Sequence, residues 1–165
     1  MEMVDKFDKK RLPLNKITER YEKIQGEFKQ SMHVWIQNSK GEFLLQQRSF
    51  SKKVFPGFWS ITGGGVDLGE TTLDTVYREC QEELGITANS NNLELVLSIK
   101  RKFNFTDIYL LKQNIDLKDI VMQKEEVTDV KWATIHEIRE IIDNKILAPN
   151  LGFYFEIFMK LIIEE

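Results

Sequence analysis

Gly64–Ile86 reads GGVDLGETTLDTVYRECQEELGI, a glycine-rich opening that leads into a segment with helical periodicity. The apolar residues of this segment recur at the spacing that places them on one helix face, from about Thr72 to Leu84. They are Leu73, Val76, Tyr77, Cys80 and Leu84. Thr71 or Thr72 is suited to cap the helix start, and Gly85 lies where a left-handed residue is expected to end it. The stretch therefore predicts a loop followed by a helix with one face in the core.

The remaining arc of the predicted helix carries three glutamates. Glu79, Glu82 and Glu83 lie at positions i, i+3 and i+4 and therefore project from one side of the helix. Like charges at this spacing destabilise a helix by roughly a few tenths of a kcal/mol each unless a cation lies between them. Carboxylates are the ligands that hard divalent ions prefer, which predicts Mg²⁺ or Mn²⁺ as the cofactor. The loop Gly63–Gly65 would add a backbone carbonyl near Gly63 for the metal and amides for a phosphate oxygen.

An acidic fragment at a helix end is ordinary by itself, because glutamate is a good helix former and charged arcs are usually solvated. Here, however, Gly64, Glu70, Arg78 and Gly85 accompany the glutamates at fixed spacings. This combination resembles the Nudix box, and it matches that motif at every defined position except Cys80, which stands at an aliphatic site. The resemblance implies an α/β (α+β) fold, namely a Nudix-like α/β/α sandwich with a mixed β-sheet between helices. It also implies a metal-dependent pyrophosphohydrolase.

The resemblance further implies roles for the residues of the motif. The catalytic set that it implies is Arg78, Glu79, Glu82 and Glu83. The three glutamates and the Gly63 carbonyl would hold the metal. Arg78 would keep the Glu79 carboxylate in its working rotamer, and Glu70 would pin the loop to the helix. The general base would be one of these glutamates or a carboxylate from elsewhere in the chain.

A longer part of the chain, from roughly Phe28 to Trp132, is similar to the branch of Nudix proteins related to isopentenyl diphosphate isomerase. The runs HVWIQNSKGEFLLQQRS and SKKVFPGFWSITGGG, which lead into the motif, carry this likeness. It implies that Arg48 and Lys52 hold the substrate diphosphate and that Trp59 lies near the pocket.

One departure separates hydrolysis from isomerisation. The isomerase has a catalytic cysteine at the end of the strand after this tryptophan, whereas residues 60–64 here read SITGG. Cys80 does not replace that thiol, because it lies on the predicted apolar stripe and is interpreted as a buried structural residue. Hydrolysis is therefore favoured. The alternatives are an isomerase-like activity and a metabolite-binding protein of the same fold, although the latter would be expected to have lost a carboxylate of the motif.

Cations cluster just before the Pro56-Gly57 turn. Arg48, Lys52 and Lys53 fall within six residues and would bind the distal phosphate, with Arg48 in a bidentate manner. Glu125 and Glu126 precede a predicted strand, in a region where the family often supplies an extra carboxylate, and are candidate bases.

The expected partner is a small-molecule diphosphate, either a nucleoside diphosphate linked to another group or a similar small metabolite. Nucleoside diphosphate sugars, nucleoside triphosphates, dinucleotides and isoprenoid or thiamine diphosphates all stay open. Selectivity lies in loops that carry no code readable from one sequence.

The composition is that of one soluble globular domain. The 165 residues are 42% apolar and 30% charged, and no apolar run approaches the roughly 18 residues of a membrane span. We therefore expect a single domain over residues 1–165, with residues 1–27 as an N-terminal extension, and no membrane partner. The net charge of −3 argues against general nucleic-acid binding. A single cysteine cannot form an internal disulfide, which agrees with a cytoplasmic location, and a homodimer is left open.

Alternating and helical patterns predict the other elements. An extended piece near Val4–Phe7 and a helical turn after Asn15 are expected in the extension. Strands are predicted at Met32–Ile36, Glu42–Arg48, Leu95–Phe103, Phe105–Leu111 and Val127–Trp132. Two helices would close the chain, one over the isoleucines between Ile135 and Ile142 and one after Pro149.

Overall fold

The described part of the chain folds into a large mixed sheet, a separate hairpin and four α-helices. The structure, a computed structural model, describes residues 2–163. The hairpin consists of β1 (Met3–Phe7) and β2 (Pro13–Glu19). The strands of the large sheet are β3 (Lys29–Gln37), β4 (Phe43–Arg48), β5 (Trp59–Ser60), β6 (Thr62–Gly65), β7 (Leu93–Lys100), β8 (Asn104–Lys112) and β9 (Val127–Ala133). The helices are α1 (Thr72–Leu84), α2 (Ile135–Asp143), α3 (Pro149–Gly152) and α4 (Phe155–Ile163).

The central strand β3 has different neighbours along its two edges. One edge pairs in parallel with β8 over its whole length. The other edge pairs antiparallel with β6 from Ser31 to Val34 and meets β4 only at Gln37. Because β6 occupies the first half of this edge, β3 and β4 diverge there. The glycines of β6 therefore lie where the sheet opens, next to α1.

Helices cover both faces of this sheet. Alternate residues of β3, such as Val34 and Ile36, pack with Val76, Cys80 and Leu84 of α1. On the opposite face, Trp35 packs with residues of α2 and α4. Both faces of β3 are thus buried, and the arrangement confirms the predicted mixed sheet between helices. Within residues 2–163, no helix has the length and apolarity to cross a membrane.

The structure confirms the predicted bounds of α1 and both of its caps. Thr71 accepts a hydrogen bond from the Asp74 amide, and the Asp74 carboxylate accepts one from the Thr71 amide, which completes a capping box. Gly85 ends the helix with φ of 64°. The predicted apolar stripe is wrong at Leu73, which is 42% exposed. The first turn of α1 buries Thr72 there instead, because the Thr72 hydroxyl bonds to the carboxylate of Asp107 in β8.

Three other elements differ from the predictions. The prediction of a helical turn after Asn15 is wrong, because residues 13–19 form β2 and pair with β1. Asp8 accepts hydrogen bonds from the amides of Lys10 and Leu12, which closes the turn between the two strands. β7 ends at Lys100 rather than Phe103, since Arg101 turns the chain by donating to the Asn104 carbonyl. The helix predicted after Pro149 is split into α3 and α4, and the break follows Gly152, a poor helix former.

Candidate active site

Two glycines of β6 let charged side chains approach the backbone closely. A Cβ atom on Gly64 would overlap the carboxylate of Glu79, and one on Gly65 would overlap the guanidinium of Arg20. A larger residue at either position would displace one of these groups. The loop therefore lies directly against the acidic face of α1.

Arg78 links this loop to three glutamates. Its Nε donates to Glu70 Oε1 at 2.9 Å, and its Nη1 donates to Glu79 Oε1 at 2.9 Å and to Glu82 Oε2 at 3.3 Å. Its Nη2 reaches the Gly65 carbonyl at 3.4 Å. These hydrogen bonds hold the pKa of Glu70 below its ordinary value. The guanidinium thereby fixes the loop to the helix and sets the orientation of the Glu79 carboxylate.

The glutamates of α1 differ in their surroundings. Glu82 is exposed, whereas Glu83 is only 7% exposed and lies on the buried face of the helix. Burial and the charge of Glu79 raise the pKa of Glu83 to about 8. Burial also raises the pKa of Glu79, against the opposing charge and hydrogen bond of Arg78. Loss of solvation therefore disfavours the ionised form of both carboxylates, more strongly for the buried Glu83 than for Glu79, which pairs with Arg78.

Gln46 is a site residue that the sequence analysis missed. Its side-chain amide donates to Glu83 Oε2 at 2.8 Å, and its oxygen accepts from the Thr62 hydroxyl at 3.1 Å. Gln46 is buried within β4, directly after the apolar run Phe43–Leu45. A polar residue that continues an apolar strand indicates a buried side chain, and a buried amide requires a hydrogen-bond partner. This pattern could have pointed to Gln46.

The donor set fits a hard divalent cation. Glu83 is buried and Glu79 is partly buried, and the charge of Glu79 disfavours the ionised form of Glu83, which a cation would offset. Among residues 2–163, no three acidic, histidine or cysteine side chains already form a metal cluster. The guanidinium of Arg78 occupies one carboxylate oxygen each of Glu79 and Glu82. An ion bound by the three glutamates would replace part of these Arg78 contacts.

The predicted phosphate-binding cations line a cavity of about 670 Å³. Arg48, Lys52 and Lys53 contribute to its wall together with Tyr21, Ser51 and Val54. Arg48 Nε donates to the Val54 carbonyl at 3.0 Å, which braces the loop, and Lys53 is exposed. The charge of Arg48 also acts on Glu83 and partly offsets the effects of burial and Glu79 on its pKa. Arg48 also follows Gln46, which contacts Glu83, by two residues in β4, so this side of the cavity lies near Glu83.

The two candidate bases have different positions. Glu126 accepts hydrogen bonds from Lys52 Nζ at 2.8 and 2.6 Å, so its carboxylate is held by a side chain of the cavity wall. Its charge also contributes to raising the pKa of Glu83, after the larger effects of burial and Glu79. Glu125 is exposed. Of the pair, only Glu126 is held toward the cluster.

Trp59 lies in β5, beside Gln47 of β4. Its ring packs against the core on the α2 and α4 side of the sheet, with Lys131 Nζ 4.2 Å from the ring centroid. Among the described residues, those that line the cavity do not include Trp59. The structure therefore places this tryptophan with the core cluster.

His33 belongs to a buried network behind the glycine strand. Trp35 Nε1 donates to the Tyr154 hydroxyl at 3.0 Å, and His33 Nδ1 forms a hydrogen bond with the same hydroxyl, also at 3.0 Å. Burial and the charge of Arg101 lower the pKa of His33 to about 3. The ring packs against Gly63, where a Cβ atom would come within 2.9 Å of His33 Cδ2. A histidine with a lowered pKa in this buried position packs behind the glycine strand as a neutral ring.

The NUDIX domain model matches residues 27–151 of the chain. The chain belongs to the NUDIX domain family. An uncharacterized Nudix hydrolase of Listeria innocua is 33% identical over 143 residues, which cover 86% of this chain and 85% of that protein. A crystal structure of a protein from Deinococcus radiodurans superimposes with a TM-score of 0.80 at 19% identity, covering 97% of this chain and 99% of that one. The structural similarity shows the fold, and the family match and the Listeria relative support a Nudix-type pyrophosphohydrolase.

The resemblance to isopentenyl diphosphate isomerase is also found, over a shorter stretch. The isomerase of Shigella flexneri is 43% identical over 53 residues, or 32% of this chain and 29% of the isomerase. Cys80, the chain's single cysteine, is fully buried against the sheet. Burial and the charges of Glu83 and Glu79 raise its pKa to about 12. This thiol is therefore not available as an acid or nucleophile.

Proposed function

We propose that the protein hydrolyses the diphosphate bond of a nucleoside diphosphate linked to another group, or of a similar small metabolite, with Mg²⁺ or Mn²⁺ as cofactor. One observation carries this proposal. Gln46 of β4 contacts Glu83 of α1, and Arg48, two residues further along the same strand, lines a cavity together with Lys52 and Lys53. Carboxylates for a metal next to cations for phosphate oxygens are the arrangement that such a reaction needs.

Glu79, Glu82, Glu83 and the Gly63 carbonyl would hold the metal. Its chemistry in such sites is to lower the pKa of a bound water and to neutralise charge on phosphoryl oxygens. Arg78 would keep Glu79 oriented through its bonds to Glu70 and the glycine loop. Gln46 would orient Glu83 by its hydrogen bond. Both supports act through the carboxylates rather than on the substrate.

The cations of the cavity would position the diphosphate. Arg48 Nε is bonded to the Val54 carbonyl of the loop. The two Nη atoms of Arg48 would bind a pair of phosphate oxygens. Lys52 is already paired with Glu126, so we assign it to holding that carboxylate as well as to the phosphate. Glu126 is the carboxylate outside α1 that we favour as the base, over the exposed Glu125.

A substrate panel tests the proposal. Nucleoside diphosphate sugars, dinucleotides, nucleoside triphosphates and isoprenoid and thiamine diphosphates would be incubated with Mg²⁺, and products would be identified by mass. Release of a phosphate ester from at least one compound is the expected result. Interconversion of isopentenyl and dimethylallyl diphosphate without phosphate release would assign the protein as an isomerase. Tight binding without turnover of any compound would assign it as a metabolite-binding protein.

A further inference from the structure

The N-terminal hairpin is fixed to the sheet and to the loop before α1. Arg11 donates to both carboxylate oxygens of Asp107 in β8, at 2.7 and 2.6 Å. Asp5 accepts a hydrogen bond of 2.9 Å from the amide of Gly69. Phe7 exchanges backbone hydrogen bonds with Phe28. The hairpin therefore has a defined position relative to the active-site loop.

Arg20 carries this anchoring to the edge of the site. Its guanidinium pairs with Glu2 and with Asp67, and it lies against Gly65 of the glycine strand. The Arg20 carbonyl accepts a hydrogen bond of 2.6 Å from Lys29 Nζ. Both the backbone and the side chain of Arg20 are thus held, which fixes where the next residue projects.

Tyr21 projects into the cationic cavity. It is 85% exposed and forms part of the same wall as Arg48, Lys52 and Lys53. Because the Tyr21 ring is so exposed, it buries little apolar surface in the free protein and contributes little to its stability. Its face is available for a ligand, while the cations on the facing loop are available for a diphosphate.

We infer that Tyr21 is the stacking platform for a planar aromatic base in the substrate, which makes the N-terminal hairpin one wall of the binding site. This inference rests on the proposed function, since it names the group attached to the diphosphate. The volume of about 670 Å³ lies in the range of small-molecule sites. A base stacked on Tyr21 would place the diphosphate toward Arg48 and the glutamates.

The wall of the cavity offers both charge and apolar surface. Arg48, Lys52 and Lys53 provide cations, and Tyr21 and Val54 provide apolar groups. A base stacks through its face and keeps its polar edges in water, so an open cavity with an aromatic ring on its wall suits it.

Direct binding tests this inference separately from catalysis. The affinities of ADP and of inorganic pyrophosphate would be measured by calorimetry with Mg²⁺ present, for the wild type and for Tyr21→Ala, Tyr21→Leu and Tyr21→Phe. Base stacking on an aromatic side chain corresponds to roughly a tenfold effect or more on alanine substitution. We expect Tyr21→Ala and Tyr21→Leu to weaken ADP about tenfold and to leave pyrophosphate within twofold, while Tyr21→Phe keeps the affinity of the wild type.

Leu12→Ala is the matched control, because Leu12 is an exposed apolar residue of the same hairpin outside the cavity. It should bind both ligands as the wild type does. Equal weakening of ADP and pyrophosphate in Tyr21→Ala, or no change in either, would overturn the stacking role. So would a wild type that binds pyrophosphate and ADP equally well. If ADP binds as expected but the substrate panel shows no turnover, the proposed hydrolysis fails while the base-binding wall stands.

Discussion

The side-chain amide of Gln46 donates a 2.8 Å hydrogen bond to Glu83, the one glutamate of the cluster that α1 turns toward the core. Glu83 is thus held in a buried position where its negative charge lacks a cation. The loss of solvation and the nearby charge of Glu79 both disfavour its ionised form. A divalent ion at this position would stabilise the folded protein.

The first prediction concerns the metal. Saturating Mg²⁺ or Mn²⁺ should raise the melting temperature, and a ligand present at a hundred times its Kd stabilises a fold by about 2.7 kcal/mol. Excess chelator should abolish hydrolysis and reverse the rise in melting temperature. Calorimetry during a titration with Mg²⁺, in buffer free of Ca²⁺, measures the rise in melting temperature. Full activity in excess EDTA would contradict the metal site.

The second prediction concerns the glutamate ligands. Glu82→Gln and Glu83→Gln keep the size of the side chain but remove a charged oxygen, so turnover should fall by more than the roughly 10–100-fold typical of an outer-shell change. Glu94→Gln, an exposed position on β7, is the control and should keep the rate of the wild type. Steady-state kinetics and melting curves decide, and a variant that retains about half of the rate is not a ligand.

The third prediction separates hydrolysis from isomerisation. Cys80 lies in the core formed by β3 and α1, so Cys80→Ala should retain catalysis and lose about 1–2 kcal/mol of stability from reduced packing. Urea denaturation gives the stability and the hydrolysis assay gives the rate. A folded variant without any turnover would return the thiol to the mechanism.

The fourth prediction concerns the diphosphate. Arg48→Lys keeps the charge but loses the planar fork, so a bidentate contact predicts a marked rise in KM with little change in kcat. Lys53→Ala should raise KM alone, whereas Lys52→Ala also releases Glu126 and should lower kcat as well. Unchanged kcat/KM in all three variants would place the diphosphate elsewhere, with Lys100–Lys102 as the next basic segment to test.

The fifth prediction concerns the anchor of the hairpin and its pH dependence. Burial alone would raise the pKa of Asp107, but hydrogen bonds from Arg11, Ser98 and Thr72 outweigh it and hold the pKa below the ordinary value of 3.8. A carboxyl group whose pKa is lowered in the folded state stabilises the fold at pH values above its unfolded-state pKa. That stabilisation is lost as the pH falls through the folded-state pKa.

We therefore expect Asp107→Asn to cost about 3 kcal/mol near neutral pH, because it leaves Arg11 without its charged partner. As the pH falls from neutral through and below 3.8, the variant should lose less stability than the wild type. Urea denaturation across this range measures the difference, and parallel pH curves for the two proteins would contradict the assignment.

The sequence by itself determined α1 and the identity of its acidic residues. Caps, helical period and carboxylate spacing depend on neighbours within a few positions, so Thr71, Gly85 and the glutamates could be read directly. The period could not predict that Leu73 is exposed and Glu83 buried. Which arc of a helix meets the sheet depends on the angle at which the helix packs, and a repeat of apolar residues fixes that angle only approximately.

Only the tertiary structure decided which distant residues complete the candidate site. Gln46 and Glu83 are 37 positions apart, and Arg11 and Asp107 are 96 apart. Tyr21 looked like part of an appended segment, yet the hairpin that carries it lies against the glycine strand through Arg20. These pairs arise because β6 separates β3 from β4 and because Asp8 turns the N-terminal segment back on itself. Such contacts depend on strand pairing and register across the sheet, which no local pattern in the chain encodes.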